Sequence, residues 1–391
     1  MELIFIFIVF VYFIIQFKLR VVMKSLAEKL VPPAVEKLIP YQSARRIARQ
    51  TGNTGHLWLN ANELESCCQY GDVSEGKNTH YNRYPDFLPH DIAADYQAYC
   101  EYQSNIVFSS NLETIAVRGA DEAIDLLVRT FCQPGNDQIL VCPPTYGMYE
   151  FCADAFSVNT AVVPLLENFQ LDLATIETKL DKTSLVFLCS PNNPTGNVLH
   201  QQDLLTLLEA SKDKSLVVVD EAYIEFAPHT SVVGLMAEYP HLIVIRTLSK
   251  AFGLAAIRVG FMLADSSVMT YVSRLIAPYP IADPSAEIAQ KALSPAGIQQ
   301  MEQQTKSLIE VRDWFSAEIS KLAIVEKVYA SSTNFVLVRF NTQSSMYDYL
   351  ISKGIVARSP ANESSVKGCV RITIGSKASM VETLNALKQY T

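Results

Sequence analysis

An α/β fold, with a mostly parallel sheet sandwiched by helices and a smaller α+β domain after it, is predicted by three observations. Short β-branched runs recur at residues 138–142, 160–164, 184–189, 216–220, 242–247 and 259–263. Polar turns and helical segments separate them, which is the rhythm of parallel strands joined by crossover helices. Beyond about Tyr271 that rhythm changes, and helical stretches such as 298–322 alternate with strand-like 334–340 and 369–374. The length, 391 residues, accommodates two such domains at roughly 100–200 residues each.

From Met23 a short arm of mixed polarity leads into Tyr41-Gln-Ser-Ala-Arg-Arg46 and then a loop-rich stretch to about Pro89. Residues 91–99 read as helix. Arg118-Gly-Ala-Asp-Glu122 opens a second helix over 123–132, where apolar residues at 123, 124, 126, 127, 128 and 131 keep helical spacing. Residues 202–211 form the clearest helix between two strands. The expected organisation is an apolar extension over 1–22, an arm over 23–60 belonging to the small domain, a large domain over 61–275 and a small C-terminal domain over 276–391. The chain carries no internal repeat.

Composition excludes several classes. The apolar share is 49% and the charged share 18%, too apolar for a disordered chain and ample for a packed core. With 32 Lys and Arg against 40 Asp and Glu, the net charge is −8 and there is no basic block, so nucleic acid is not an expected partner. The eight cysteines include no C-x-x-C and the six histidines no H-x-x-x-H, so neither a disulfide framework nor a metal site is expected. Reduced thiols in a cytoplasmic protein are the simpler reading. No G-x-G-x-x-G follows an early strand and no G-K-[ST] occurs, which argues against nicotinamide dehydrogenases and P-loop enzymes.

The first 22 residues stand apart. Leu3 to Ile15 are thirteen consecutive apolar residues, short of the roughly 20 a spanning helix needs. A signal peptide would carry its positive charge first, whereas Glu2 comes first here and Lys18, Arg20 and Lys24 follow the apolar run. The favoured reading is that Met23 is the working start. The alternative is an anchor that leaves the rest in the cytoplasm, so membrane contact is expected only if residues 1–22 are translated. A chain beginning at Met23 is expected to be dimeric and fully active.

In α/β sheets, ligands sit beyond the carboxyl ends of the strands. The polar residues of this chain gather there. Ser190-Pro-Asn-Asn-Pro-Thr-Gly196 follows one strand, Asp220-Glu-Ala-Tyr223 ends another, Ser249-Lys250 follows a third, and Arg258 comes eight residues later. A single lysine or aspartate in such a turn is ordinarily a solvated surface residue. It is the set, each member at a strand end, that points to a site.

N-N-P-T-G, D-E-A-Y and S-K-A-F-G-L-A-A-I-R together resemble the fold-type I pyridoxal-phosphate aminotransferases. Y-Q-S-A-R-R, L-N-A-N-E, N-R-Y-P, R-G-A-D-E, C-P-P-T-Y-G-M-Y and V-R-I-T-I-G narrow the resemblance to the histidinol-phosphate aminotransferase family, from about Lys24 to the C-terminus. Residues 103–114 depart from it, being longer and more polar than the family suggests. The resemblance implies a fold-type I transferase using pyridoxal 5'-phosphate, a homodimer, and exchange between L-histidinol phosphate and glutamate/2-oxoglutarate. An L-threonine-phosphate decarboxylase or a broad aromatic aminotransferase would share the cofactor site and stays open as an alternative. A non-enzymatic binding protein on the same fold would need a broken cofactor set, and every position is intact.

The implied roles are chemically coherent. Lys250 can form an imine with an aldehyde cofactor and afterwards carry the proton at the substrate Cα. Asp220 would keep the ring nitrogen protonated, so that the ring acts as an electron sink. Tyr223 and Asn193 would hydrogen-bond the ring hydroxyl oxygen, and Tyr146 would stack on the ring. Arg258, the Ser249 hydroxyl and the backbone amides of Ala120 and Asp121 at a helix N-terminus would hold the phosphate. Tyr84 is implied as a phosphate contact given across the dimer. Arg371 and Arg358, with Tyr41, are the candidates for the substrate anions, because a guanidinium fork takes carboxylate and phosphate alike.

Overall fold

The computed structural model describes residues 25–36, 83–86, 88–360 and 364–390. The extension, Tyr41 and most of the arm therefore lie outside the described residues. Helices α1 (Leu26–Leu30), α2 (Pro33–Glu36), α3 (His90–Ser104), α4 (Ala120–Phe131), α5 (Met148–Ala155), α6 (Leu173–Glu177), α7 (Gln201–Ser211) and α8 (Ser266–Leu275) accompany a seven-stranded sheet. Its strands are β1 (Leu112–Val117), β2 (Gln138–Val141), β3 (Asn159–Val162), β4 (Thr183–Cys189), β5 (Leu216–Asp220), β6 (Leu242–Thr247) and β7 (Gly260–Asp265). They lie in the order β1-β7-β6-β5-β4-β2-β3. The neighbours from β3 to β6 are parallel, and β7 runs antiparallel to both β6 and β1.

The central strands are buried throughout, as expected of a sheet covered on both faces. Their side chains alternate between two apolar clusters. Val217 and Val219 of β5, Val186 and Leu188 of β4, and Leu242 and Val244 of β6 pack with Tyr96 and Tyr99 of α3 and Leu204 and Leu208 of α7. Leu216, Val218, Leu185, Phe187, Ile243 and Ile245 face Ile124 and Leu127 of α4 and Tyr149 of α5. By this parity Asp220 continues the face of α4 and α5, while Glu221 and Arg246 fall on the other. There the fully buried Arg246 donates through Nε to Glu221 Oε2 at 2.9 Å, through Nη2 to Ser231 Oγ at 2.7 Å and through Nη1 to Gln103 Oε1 at 2.9 Å, with Nη2 also 2.8 Å from Glu221 Oε2 in the ion pair. Removing one partner of a buried ion pair costs about 3–5 kcal/mol. The pair thus anchors the residue directly after Asp220.

The second unit comprises α9 (Asp283–Leu293), α10 (Pro295–Ile319), β8 (Val325–Val328), β9 (Phe335–Phe340), α11 (Met346–Ser352), β10 (Cys369–Thr373) and α12 (Lys377–Lys388). Its antiparallel sheet, β10-β9-β8, packs Val336, Val338 and Ile372 against Phe315 and Ile319 of α10 and Leu384 of α12. The two cores meet within α10. Ile281, Ala289, Leu293 and Met301 belong with the large sheet, and Phe315 and Ile319 with the small one. Helix α9 packs against α3, and its Ala289 and Leu293 join the core of the large sheet.

Residues 25–36 of the arm pack on α8, where Ala27, Val31 and Val35 share a cluster with Val268, Met269 and Val272. Two differences from the expected elements have local causes. Helix α3 outruns the expected 91–99 because Tyr96, Tyr99 and Cys100 continue a buried stripe, and it stops where Asn105 turns left-handed at φ 51°. The polar 103–114 segment ends in β1, an edge strand whose Glu113 and Thr114 hide its apolar alternation. Likewise β8, with an exposed centre, offers little hydrophobic signal.

Among the described residues no helix is long and apolar enough to cross a membrane, and no group of three or more His, Cys, Asp or Glu is placed to hold a metal. Cys100, Cys132, Cys142, Cys152, Cys189 and Cys369 are buried free thiols.

Candidate active site

A cavity of about 660 Å³ opens at the carboxyl ends of β4, β5 and β6, where Cys189, Asp220 and Thr247 stand. Ala120, Asp121, Tyr146, Asn193, Asp220, Tyr223, Ser249, Lys250, Arg258, Arg358 and Arg371 all line it. These residues are spread over 252 positions of sequence, from 120 to 371, and the sheet brings them together. Tyr84 does not line the cavity. Its ring, 50% exposed, stacks on Tyr279 with centroids 4.6 Å apart.

At one end of the cavity is an anion cradle. Helix α4 starts after Gly119, and the first amides of a helix have no partner within it, so Ala120 and Asp121 present N–H groups and the positive end of the helix dipole. Two glycines permit the close approach. A Cβ on Gly260 would stand 2.7 Å from the Gly119 carbonyl carbon, and one on Gly119 would stand 2.6 Å from Arg258 Nη2. Arg258 itself is left-handed at φ 54°, a conformation that costs a non-glycine residue about 1–3 kcal/mol and that concentrates at functional sites. Its Nη2 lies 3.3 Å from Asp121 Oδ2. The Asp121 side chain also accepts from Tyr146 Oη at 3.0 Å, a contact that sequence did not suggest. Thr247 Oγ1 donates to Ser249 Oγ at 2.9 Å and so orients that hydroxyl.

At the floor, Asp220 is 2% exposed. Its Oδ2 accepts from Tyr149 Oη at 2.9 Å and its Oδ1 from the Ala222 amide at 3.0 Å. Burial pushes the carboxyl up to about 6, while those two hydrogen bonds and Lys250 pull the other way. The Lys250 side chain is open to the cavity and walled by protein. Burial, then the positive charge of Arg371, holds its amine below the ordinary lysine value. Its Nζ lies 5.6 Å from the centre of the Tyr223 ring.

The third side comes from the small domain. Arg371 of β10 donates through Nη1 to Asn193 Oδ1, tying the N-N-P-T-G turn to β10. Its guanidinium lies 5.2 Å from the Phe335 ring, which meets Tyr223 edge-on at 5.3 Å. Among the described residues, Arg371 Nε is buried without a hydrogen-bond partner, an orphaned donor in the wall of the cavity. Arg358, exposed, exchanges both backbone hydrogen bonds with Arg371, so the two guanidinium stems leave adjacent backbones.

The residues present fit pyridoxal phosphate. The cradle suits a phosphate, the buried carboxylate suits a protonated ring nitrogen, and a lysine amine held below its ordinary value lines the same cavity. Sequence reasoning missed Tyr149, Phe335 and Thr247. Tyr149 carried a signal, since it closes the C-P-P-T-Y-G-M-Y motif three residues after Tyr146, whose ring it meets edge-on at 5.7 Å.

Fold and site together define a cofactor-dependent group-transfer enzyme of the α/β class. The chain belongs to the aminotransferase class I and II family, whose pattern matches residues 56–387. The histidinol-phosphate aminotransferase of Escherichia coli O45:K1 (strain S88 / ExPEC) is 44% identical over 354 residues, 90% of this chain and 95% of that protein. Among solved structures, the histidinol-phosphate aminotransferase from Clostridium acetobutylicum matches with a TM-score of 0.71 and 26% identity, over 78% of this chain and 90% of that one. The Sinorhizobium meliloti enzyme of the same name, in complex with pyridoxal-5'-phosphate, matches with a TM-score of 0.70 and 21% identity, over 91% and 95% of the two chains.

Proposed function

We propose that the chain is a histidinol-phosphate transaminase. It moves the amino group between L-histidinol phosphate and 2-oxoglutarate, giving imidazole-acetol phosphate and L-glutamate, in L-histidine biosynthesis. The observation that carries this reading is the convergence of Lys250, Asp220, Arg258 and Arg371 on one cavity, in a chain 44% identical over most of its length to enzymes of that name.

Pyridoxal phosphate, when bound, supplies an aldehyde that condenses with amines and a ring that draws off electrons. Ala120, Asp121, Ser249 and Arg258 would hold its phosphate, and Tyr146 would cover its ring. Asn193 and Tyr223 would meet its ring hydroxyl oxygen, and Asp220 its nitrogen. Lys250 has the proton-transfer role: an amine held below its ordinary value is neutral more often near pH 7 and can take the proton from the substrate Cα and return it. Arg371 would orient whichever anion the substrate presents, with Arg358 and Tyr41 as further candidates for that contact.

Purified protein should turn over histidinol phosphate with a kcat/KM at least about tenfold above phosphothreonine and phenylalanine. Faster loss of carbon dioxide from phosphothreonine would instead mark a decarboxylase, and faster turnover of phenylalanine a broad aromatic aminotransferase.

Arg371→Lys should lower kcat/KM about 10- to 100-fold in both half-reactions, since the ammonium cannot reproduce a bidentate fork. Separate single-turnover measurements with glutamate and with histidinol phosphate would check this. An effect confined to glutamate would place phosphate recognition elsewhere.

The reading includes a homodimer in the cytoplasm, where the buried free thiols stay reduced. Tyr84, half-exposed and outside its own cavity, would serve the neighbouring site. If so, Tyr84→Phe and Lys250→Ala subunits, exchanged into mixed dimers, should recover activity, because one of the two sites then carries neither lesion. No recovery after verified exchange would exclude the shared site.

A further inference from the structure

We infer that Tyr149 is a positioning residue for transamination, whose hydroxyl orients the Asp220 carboxylate and keeps it in the anionic form that a protonated cofactor nitrogen requires. The inference rests on the transaminase reading and deepens it.

Both oxygens of Asp220 are fixed, Oδ2 by the Tyr149 hydroxyl at 2.9 Å and Oδ1 by the Ala222 amide at 3.0 Å. Among the described residues Tyr149 is the one side chain that hydrogen-bonds this carboxylate. The tyrosine has no freedom to leave. It is wholly buried, its ring stacks on Phe187 with centroids 5.0 Å apart and 10° between planes, and it meets Tyr146 edge-on at 5.7 Å. Strand parity explains the reach: Phe187 of β4 and Asp220 of β5 face the same side of the sheet, so a helix α5 ring seated on β4 delivers its hydroxyl to the end of β5.

A phenylalanine would fill the same ring space, so packing alone does not call for the hydroxyl. The surroundings of Asp220 do. Burial disfavours its anion most strongly and Asp121 of α4 adds to that, whereas Lys250 and the two hydrogen bonds favour the anion. Cys189 at the end of β4, also buried, offers no fixed positive charge. Without the hydroxyl, Asp220 keeps one hydrogen bond, and its Oδ2 becomes the better resting place for the proton it would otherwise share with the cofactor nitrogen. The contact to that nitrogen survives, but the positive charge that makes the ring an electron sink is lost.

The test uses holoenzyme loaded with pyridoxal phosphate labelled with nitrogen-15 in the ring, without substrate, followed by NMR from about pH 6 to about pH 9. The parent should show a protonated ring nitrogen across the range. Tyr149→Phe should shift the resonance toward the neutral value at the alkaline end. It should also lower kcat about tenfold while leaving KM for the amino donor within about twofold, the loss expected for one hydrogen bond to a charged group. Tyr149→His, which retains an N–H donor, should keep the protonated resonance. A parent-like nitrogen resonance in Tyr149→Phe, or a neutral one in Tyr149→His, would overturn the inference. No amino donor enters the NMR measurement, so its outcome stands apart from whether histidinol phosphate is the substrate. A parent that binds no pyridoxal phosphate would defeat the transaminase reading instead.

Discussion

Replacing Lys250 by alanine should leave a folded protein that still binds pyridoxal phosphate but transaminates at least about a thousandfold more slowly. The loss would be large because, on the proposed reading, one amine would serve two purposes, as the covalent partner of the cofactor aldehyde and as the acid and base at the substrate Cα. Folding should survive because Lys250 lines the cavity instead of the core, and the strand before it is fixed by its neighbours β5 and β7. Cofactor retention should survive because the phosphate cradle at Gly119–Asp121 and Arg258 does not include the lysine. Single-turnover absorbance with histidinol phosphate, alongside a thermal melt, would measure both halves. Near-parent turnover in Lys250→Ala would remove this lysine from the chemistry.

Asp220→Asn should move activity and stability in opposite directions. Turnover should fall by about two to three orders of magnitude, since a neutral amide cannot hold a protonated ring nitrogen. In cofactor-free protein the same change should stabilise the fold at neutral pH and above. The sign follows from linkage. Burial raises the folded-state value of Asp220 to about 6, above the roughly 4 of an unfolded chain, so the folded state binds more protons in between. The stability Asp220 contributes is present below about pH 4 and is lost as pH rises through about 6. The asparagine carries no such loss, so the difference in melting temperature between variant and parent should grow from about pH 4 to about pH 7 and then level. A mild kinetic defect would argue against the electron-sink role. A pH-independent difference in melting would show that Asp220 titrates normally in the fold.

Much of this site was legible from sequence because its members sit next to strand ends, and strand ends are local features. The runs ending at Cys189, Asp220 and Thr247 are β-branched and bounded by polar turns, so the expected and observed strands differ by a residue or so. Asp220 then falls at such an end, and Asn193, Ser249, Lys250 and Arg258 fall just beyond, with no tertiary information. The α4 helix was equally plain from its apolar spacing, and Gly119 before it marks the backbone turn that opens the anion cradle. Elements at edges were not legible. β1 interrupts its buried positions with Glu113 and Thr114, and β8 has an exposed centre, so neither shows a continuous apolar run, and an amphipathic helix such as α9 does not state what covers its apolar face.

By itself, then, the sequence determined the class of fold, the inventory of reactive groups and the strand ends that carry them, since hydrophobic period and turn chemistry are properties of a few consecutive residues. The tertiary structure alone decided which groups became partners. Tyr149 and Asp220 are 71 positions apart, Asp121 and Arg258 137, and Asn193 and Arg371 178. The first pairing depends on a helix seated on the correct strand face and the second on β7 passing beneath the start of α4. The third depends on the small domain closing over the N-N-P-T-G turn. Each is set by the packing of surfaces distant in the chain, where a one-residue slip in strand register would turn every side chain to the opposite face.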